Sequence, residues 1–165
     1  MKKLAIFSAL VLLVFLSSCA KDFDYLEYQR GSVRALCTVN EKYEVVITKS
    51  EACSRLEILV PKELCGTYFE LYESSAYAVS GEIKIPIDKN VFSGIYALLG
   101  AFSLDGAAQG SVSDEGGKSI VCFDTENGTY VITYGKNLMP SHIEIHSDKF
   151  DYDIDVKEIE IGDWR

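Results

Sequence analysis

The chain has 165 residues, 48% of them hydrophobic, with 16 basic and 25 acidic side chains and a net charge of −9 at neutral pH. That length suffices for one domain with its own core. The acidic balance argues against a nucleic-acid binder, whose phosphate contacts need Lys and Arg, and against electrostatic adhesion to anionic headgroups.

Lys2 and Lys3 precede an apolar stretch from Leu4 to Leu16 that only Ser8 interrupts. As a helix it would extend about 20 Å at a rise of ~1.5 Å per residue. A permanent span needs about 20 apolar residues, so the stretch suits a signal-peptide core. The stretch ends in Leu16-Ser17-Ser18-Cys19, which resembles the lipobox of bacterial lipoproteins. That resemblance implies a diacylglycerol on the Cys19 thiol, removal of residues 1–18, and further acylation, of the palmitate class, at the new amino terminus. The competing reading is an ordinary secretory signal or an uncleaved anchor. Acyl chains contribute about 0.8 kcal/mol per buried CH₂, so the protein is expected to be lipid-anchored on the extracytoplasmic face of the cell membrane. The leader removes two of the 16 basic side chains and none of the 25 acidic ones, taking the charge from −9 to −11. The expected organisation is a signal peptide at 1–18, a lipidated tether at 19–30 and one β-rich domain at 31–165.

From Gly31 the pattern is that of strands. G-S-V-R-A-L-C-T-V and Y-E-V-V-I-T-K flank Asn40-Glu41-Lys42 and predict a hairpin. R-L-E-I-L-V ends at Pro61, which cannot donate to a ladder. T-Y-F-E-L-Y-E and A-Y-A-V-S flank Ser74-Ser75 as a second hairpin, and E-I-K-I-P-I alternates, with Pro86 marking an edge strand or a strand end. The period then changes. Val91, Phe92, Ile95, Leu98, Leu99 and Phe102 fall on one helical stripe, with Asn90 or Asp88 as N-cap. Gly94 and Gly100 weaken such a helix but let it approach a sheet closely.

Residues 105–118 are small, polar and glycine-rich and read as a loop or long turn. S-I-V-C-F-D and T-Y-V-I-T-Y flank Glu126-Asn127-Gly128, where Asn-Gly predicts a tight turn with positive φ. The last strands are H-I-E-I-H and F-D-Y-D-I-D-V. After Val156 the apolar parity flips to Ile159 and Ile161, which predicts a bulge near Lys157-Glu158. Several strands are apolar on both faces, such as Val45-Val46-Ile47, so the sheet must be curved, doubled over or lined with a ligand cavity.

Little in the chain points to covalent chemistry. Cys37, Cys53, Cys65 and Cys122 lack the close pairs of a zinc ribbon. Outside the cytoplasm they could form disulfides, while Cys37 and Cys122 sit in apolar runs that suit small buried hydrophobes. His142, Glu144 and His146 share a strand face. Two histidines four residues apart on one strand are about 13 Å apart, too far to hold one ion together; a His-Glu pair with ligands from elsewhere would be needed. Alternate carboxylates at Asp151, Asp153 and Asp155 diverge on a straight strand and read as a solvated face. No G-x-S-x-G nucleophile signature occurs. The expectation is no enzyme, no cofactor, no metal and no nucleic-acid partner.

The order of hairpins, one helix and further hairpins from Val33 to Ile161 resembles the LolA- and LppX-type lipoprotein carriers and the related clostridial germination lipoproteins. The segments carrying it are R-L-E-I-L-V-P-K-E-L-C-G-T-Y-F-E-L, V-F-S-G-I-Y-A-L-L-G-A-F and L-M-P-S-H-I-E-I-H-S-D-K-F-D-Y-D-I-D-V. The long N-terminal helix of many relatives is missing or reduced to residues 20–30. The resemblance implies an α+β, mainly β fold: a strongly curved antiparallel half-barrel with one helix on its concave side. It also implies noncovalent binding of an acyl chain or hydrophobic partner segment, in a cavity lined by Tyr68, Tyr72, Tyr77, Ile95, Leu99, Phe102, Tyr130, Ile132 and Tyr134. Such aromatic rows also serve as ordinary core or half-buried sheet surface. The alternative function is a structural or interaction module of an envelope or spore-associated complex, with no small ligand.

Overall fold

A computed structural model describes residues 24–88, 90–104 and 107–162. The leader at 1–18 and Cys19 lie outside the described residues. Six strands come first: β1 (Val33–Val39), β2 (Tyr43–Lys49), β3 (Ser54–Val60), β4 (Thr67–Leu71), β5 (Ala76–Ser80) and β6 (Ile83–Pro86). Helix α1 (Ser93–Gly100) follows, then β7 (Ala108–Glu115), β8 (Lys118–Thr125), β9 (Gly128–Tyr134), β10 (Pro140–His146) and β11 (Asp151–Ile161). All ladders are antiparallel, in one sheet of order β6-β5-β4-β3-β2-β1-β11-β10-β9-β8-β7. Among the described residues this is the strongly curved antiparallel sheet with one α-helix that the resemblance implies.

The register sorts side chains by face. Val39, Cys37, Ala35 and Val33 of β1 oppose Ile154, Val156, Ile159 and Ile161 of β11. Between Leu36 and Cys37 the register shifts, leaving Lys157 as the extra residue. This is the bulge that the parity flip demands: without it, Ile159 would point away from Ala35. On the other side Ala35 opposes Ile47, which opposes Leu56, which opposes Phe69. These residues, with Ile132, Ile143, Val121 and Phe123 from the second wing, form the core cluster that the helix covers. The curvature is visible in one cleft of 920 Å³. It is lined both by the β2–β3 and β4–β5 turns and by Asn127 of the β8–β9 turn, which project from opposite ends of the sheet.

The helix is shorter than its stripe. It begins after Phe92 without a side-chain cap, because the Asp88 carboxylate accepts instead from the Asn90 amide at 2.8 Å in the preceding turn. Ala97, Leu98, Leu99, Ala101 and Phe102 are buried, whereas Val91 lies before the helix and is 75% exposed. The two helix glycines fit the expected close approach. A Cβ on Gly94 would collide with the Tyr152 hydroxyl, and one on Gly100 would stand 3.0 Å from the Tyr130 hydroxyl. Tyr130 uses that proximity to donate to the Ala97 carbonyl at 3.1 Å.

Three segments differ from expectation. Residues 108–115 form an edge strand with no buried residue, paired with β8. Gly116 and Gly117, at φ +59° and +79°, turn the chain back, and backbone pairing with one side-chain hydrogen bond, from Ser119 Oγ to Asp114 Oδ1 at 2.7 Å, holds it. In the β8–β9 turn only Gly128 takes a positive φ, while the Asn40-Glu41 pair carries φ +50° and +55°. Lastly, the described part of the segment expected as tether, from Asp24 on, is folded against the domain. Tyr25, Tyr28 and Gln29 are buried, since two aromatic rings gain far more from the core than from solvent.

Gly94→Ala is expected to destabilise the fold by about 1–2 kcal/mol. Overpacking against Tyr152 costs roughly 1–3 kcal/mol and outweighs a helix-propensity gain of up to about 1 kcal/mol. In a Tyr152→Phe background the penalty should shrink by at least half, which a urea-denaturation double-mutant cycle measures.

Candidate functional site

The concave face is the natural place for a ligand, and most of it is filled. Leu99, Phe102, Tyr130, Ile132 and Tyr134 are fully buried within the core cluster, and Ile95 packs against its edge. The N-terminal segment completes the filling. Tyr25 and Tyr28 set their rings 5.1 and 6.3 Å from that of Tyr134. Gln29, 0% exposed, donates through Nε2 to the Tyr28 hydroxyl at 2.7 Å and to the Ala101 carbonyl at 3.3 Å. Its Oε1 accepts from the Leu104 amide at 2.6 Å, and its backbone carbonyl accepts from Lys49 Nζ.

Tyr68, Tyr72 and Tyr77 lie elsewhere. In β4 the register puts Phe69 opposite Leu56 and Tyr68 opposite Glu57, so Tyr68 faces the convex side. The same parity takes Tyr77, opposite Glu70, to that side. There Arg55 stacks on Tyr68 at 3.7 Å, Lys84 lies 4.3 Å from the Tyr77 ring centre, and Tyr72 packs edge-on to Tyr77 at 6.2 Å. The nine expected positions therefore do not share a surface: six belong to the concave side and three to the convex. A Tyr-Phe pair always puts one ring on each face of a strand, and only the register decides which.

The open apolar surface is the wing beyond the helix. Phe69, Ala78 and Ile85 form one cross-strand row on the concave side, with Ile83 opposite Ser80 next to it. Ile83 and Ile85 are 63% and 56% exposed. Phe92, at the entrance to α1, sets its ring 6.5 Å from that of Phe69, and exposed Val91 precedes it. Pro86 and the free edge of β6 bound the wing, as expected for E-I-K-I-P-I. The clefts flanking α1 are open and largely polar; two of them measure 920 and 330 Å³ and share Gly100, Ser103 and Asn127.

No family model and no curated protein matches the chain. Among solved structures, an uncharacterized conserved protein from Thermus thermophilus is similar at a TM-score of 0.51 and 11% identity, over 86% of each chain. A LolA superfamily protein from Nitrosomonas europaea is similar at a TM-score of 0.45 and 7% identity, over 82% of this chain and 86% of that one. The Thermus likeness extends the fold to another protein and carries no activity. Among the described residues no helix is long and apolar enough to cross a membrane.

Burial also sets the acid–base character of the interior. Desolvation pushes the Cys37 thiol from 9.0 up to about 12 and the Tyr130 hydroxyl from 10.0 up to about 12, and it raises Tyr28 and Tyr134 further. Cys37, Cys53, Cys65 and Cys122 are free thiols. A raised folded-state value means the native state keeps protons that the unfolded chain gives up. The associated stability is complete below pH 9 and is lost as pH climbs toward 12, at about 1.4 kcal/mol per group per pH unit. Urea midpoints are therefore expected to fall steadily above pH 9, and Tyr130→Phe should flatten part of that slope.

Proposed function

We propose that the chain is a lipid-anchored extracytoplasmic protein whose noncatalytic domain binds a hydrophobic ligand, an acyl chain or an apolar partner segment, on the uncovered wing of its concave face. The observation that carries this reading is the exposure of Ile83 and Ile85 on the concave side, in line with Phe69 and open to solvent. Burying such a side chain fully yields about 1.5–3 kcal/mol, so these two with Val91 and Phe92 supply a useful binding increment. Because Leu99, Phe102, Tyr130, Ile132 and Tyr134 are packed shut, the ligand would lie along the wing, against Ile95 and Phe92, rather than in a tunnel. The resemblance of Leu16–Cys19 to a lipobox, and of the strand and helix order to LolA-type carriers, supports the anchor and the carrier-like role.

A second reading, a module of an envelope or spore-associated complex without a small ligand, is favoured by the two free sheet edges. Strand β6 is short and apolar on one face, while β7 is exposed along all eight residues.

Two measurements test the first reading. Cys19→Ser should abolish metabolic labelling with radiolabelled palmitate and shift the protein from the membrane fraction; retained labelling would sink the anchor. In proteoliposomes, a photoactivatable fatty acid should label peptides of β5, β6 and the entrance to α1. The Ile83→Asp/Ile85→Asp variant should lose that labelling while its stability changes by less than about 0.5 kcal/mol per exposed site. Labelling that survives both substitutions would rule out the wing as the acyl site. Absence of labelling, with one protein recovered by crosslinking through β6 or β7, would favour the second reading.

A further inference from the structure

The convex face of β10 and β11 carries a ladder of opposed acids and histidines. His142 pairs in register with Asp155, Glu144 with Asp153 and His146 with Asp151. His142 Nδ1 lies 2.9 Å from Asp155 Oδ1, and its Nε2 lies 3.7 Å from both Asp153 Oδ2 and Glu144 Oε1. His146 Nδ1 lies 3.1 Å from Asp151 Oδ1, and its Nε2 lies 3.2 Å from Glu144 Oε2. Among the described residues, the ion-pair partners of these four carboxylates are the two histidines.

Two features of this ladder ask for a cation. Both nitrogens of each ring face carboxylate oxygens, and since a neutral imidazole has only one N–H, each ring calls for a positive charge there, a second proton or a bound metal ion. With the His142 Nδ1–H donated to Asp155, the Nε2 lone pair points at two anionic oxygens. In addition, Glu144 and Asp153 are like charges directly opposite on neighbouring strands, a destabilising arrangement. A metal ion at Nε2 would resolve both conflicts. Tetrahedral zinc holds its N and O ligands at about 2.0–2.2 Å, which puts ligand atoms roughly 3.3 Å from each other. The observed 3.7 Å from Nε2 to each carboxylate is within a small side-chain adjustment of that spacing. One ligand atom each of His142, Asp153 and Asp155 already lies within 4.8 Å of the others. Asp155 takes the supporting position common beside metal-bound histidines, accepting from the far ring nitrogen and fixing the tautomer.

We propose that this ladder is a divalent transition-metal site of the zinc type, with His142 Nε2, Asp153 and Glu144 as ligands. Asp155 orients His142, and His146 steadies Glu144 through its second oxygen. Imidazole with carboxylates selects zinc-like ions over calcium or magnesium, which favour all-oxygen shells. The obstacle to a shared site along one strand, two histidines about 13 Å apart, does not apply, because the ligands come from two adjacent strands and need one histidine.

The test uses the full chain in detergent micelles, stripped by chelator and titrated calorimetrically with zinc chloride alone. One ion per chain is expected, with affinity lower by roughly 10–100-fold in Asp155→Ala and lost in His142→Gln and in Glu144→Gln/Asp153→Asn. Thermal melts check that each surface variant stays folded. Histidine-selective ¹⁵N NMR should show the His142 Nε2 resonance moving on zinc addition, and its tautomer changing in Asp155→Ala, which a merely structural role would not cause. The proposal is overturned by an absence of binding, by unchanged affinity in His142→Gln (which assigns the ion to a thiol), or by displacement of zinc with equimolar calcium.

Discussion

The chain leaves one edge of its sheet at Pro86 and re-enters at the other edge at Ala108, and everything between must cross the concave face. Every other connection in the sheet is a turn between antiparallel neighbours. A crossing segment packed on an apolar sheet has to satisfy its own backbone groups, and a helix does so internally. The helix must also sit low enough to cover the sheet. Gly94 over Tyr152 and Gly100 over Tyr130 supply that clearance, and the Tyr130 hydroxyl turns it into a hydrogen bond. Helix composition, tyrosine positions and sheet order are thus consequences of one topological requirement.

The end of the crossing is fastened by a residue far away in sequence. Gln29 gives its donor to the Ala101 carbonyl and its acceptor to the Leu104 amide, meeting one backbone acceptor and one backbone donor just past the end of α1. An apolar residue there would strand them at about 1–3 kcal/mol each, which explains a glutamine in an otherwise apolar cluster. It also ties Tyr25 and Tyr28 into the space beside Tyr134. The interior is consequently closed by residues 25–29, and the open apolar area lies on the β4–β6 wing.

How much of this was legible in the sequence follows from which signals are local. The period-2 runs located nearly every strand, Pro86 marked an edge strand or strand end, and the parity flip after Val156 placed a bulge near Lys157-Glu158, which the register assigns to Lys157. Strand β7 was invisible because none of its eight residues is buried; two glycines, a backbone ladder and one side-chain hydrogen bond specify it. The faces of Tyr68 and Tyr77 could not be read either. T-Y-F-E-L-Y offers a ring to each side, and the choice is made by Leu56 opposite Phe69, a long-range fact. The same long-range pairing hid the acid–histidine ladder. Along one strand, histidines or aspartates are too far apart to cooperate, and only register sets Glu144 against Asp153.

Strand alternation also lets one pair of strands carry two unrelated chemistries. Ile143, Ile145, Tyr152 and Ile154 of β10 and β11 face the core, while His142, Glu144, Asp151, Asp153 and Asp155 occupy the intervening positions on the opposite face. A slip of one residue would drive carboxylates under the helix and isoleucines into water, so the burial of Ile143 and Ile154 enforces the register on which the ladder depends. The bulge at Lys157 lies beyond Asp155 and outside the β10–β11 register. It can reset the parity of β11 for pairing with β1 without disturbing any rung. The apolar core therefore holds four like-charged side chains at fixed spacing on the far side of the sheet, an arrangement that their mutual repulsion would otherwise disperse.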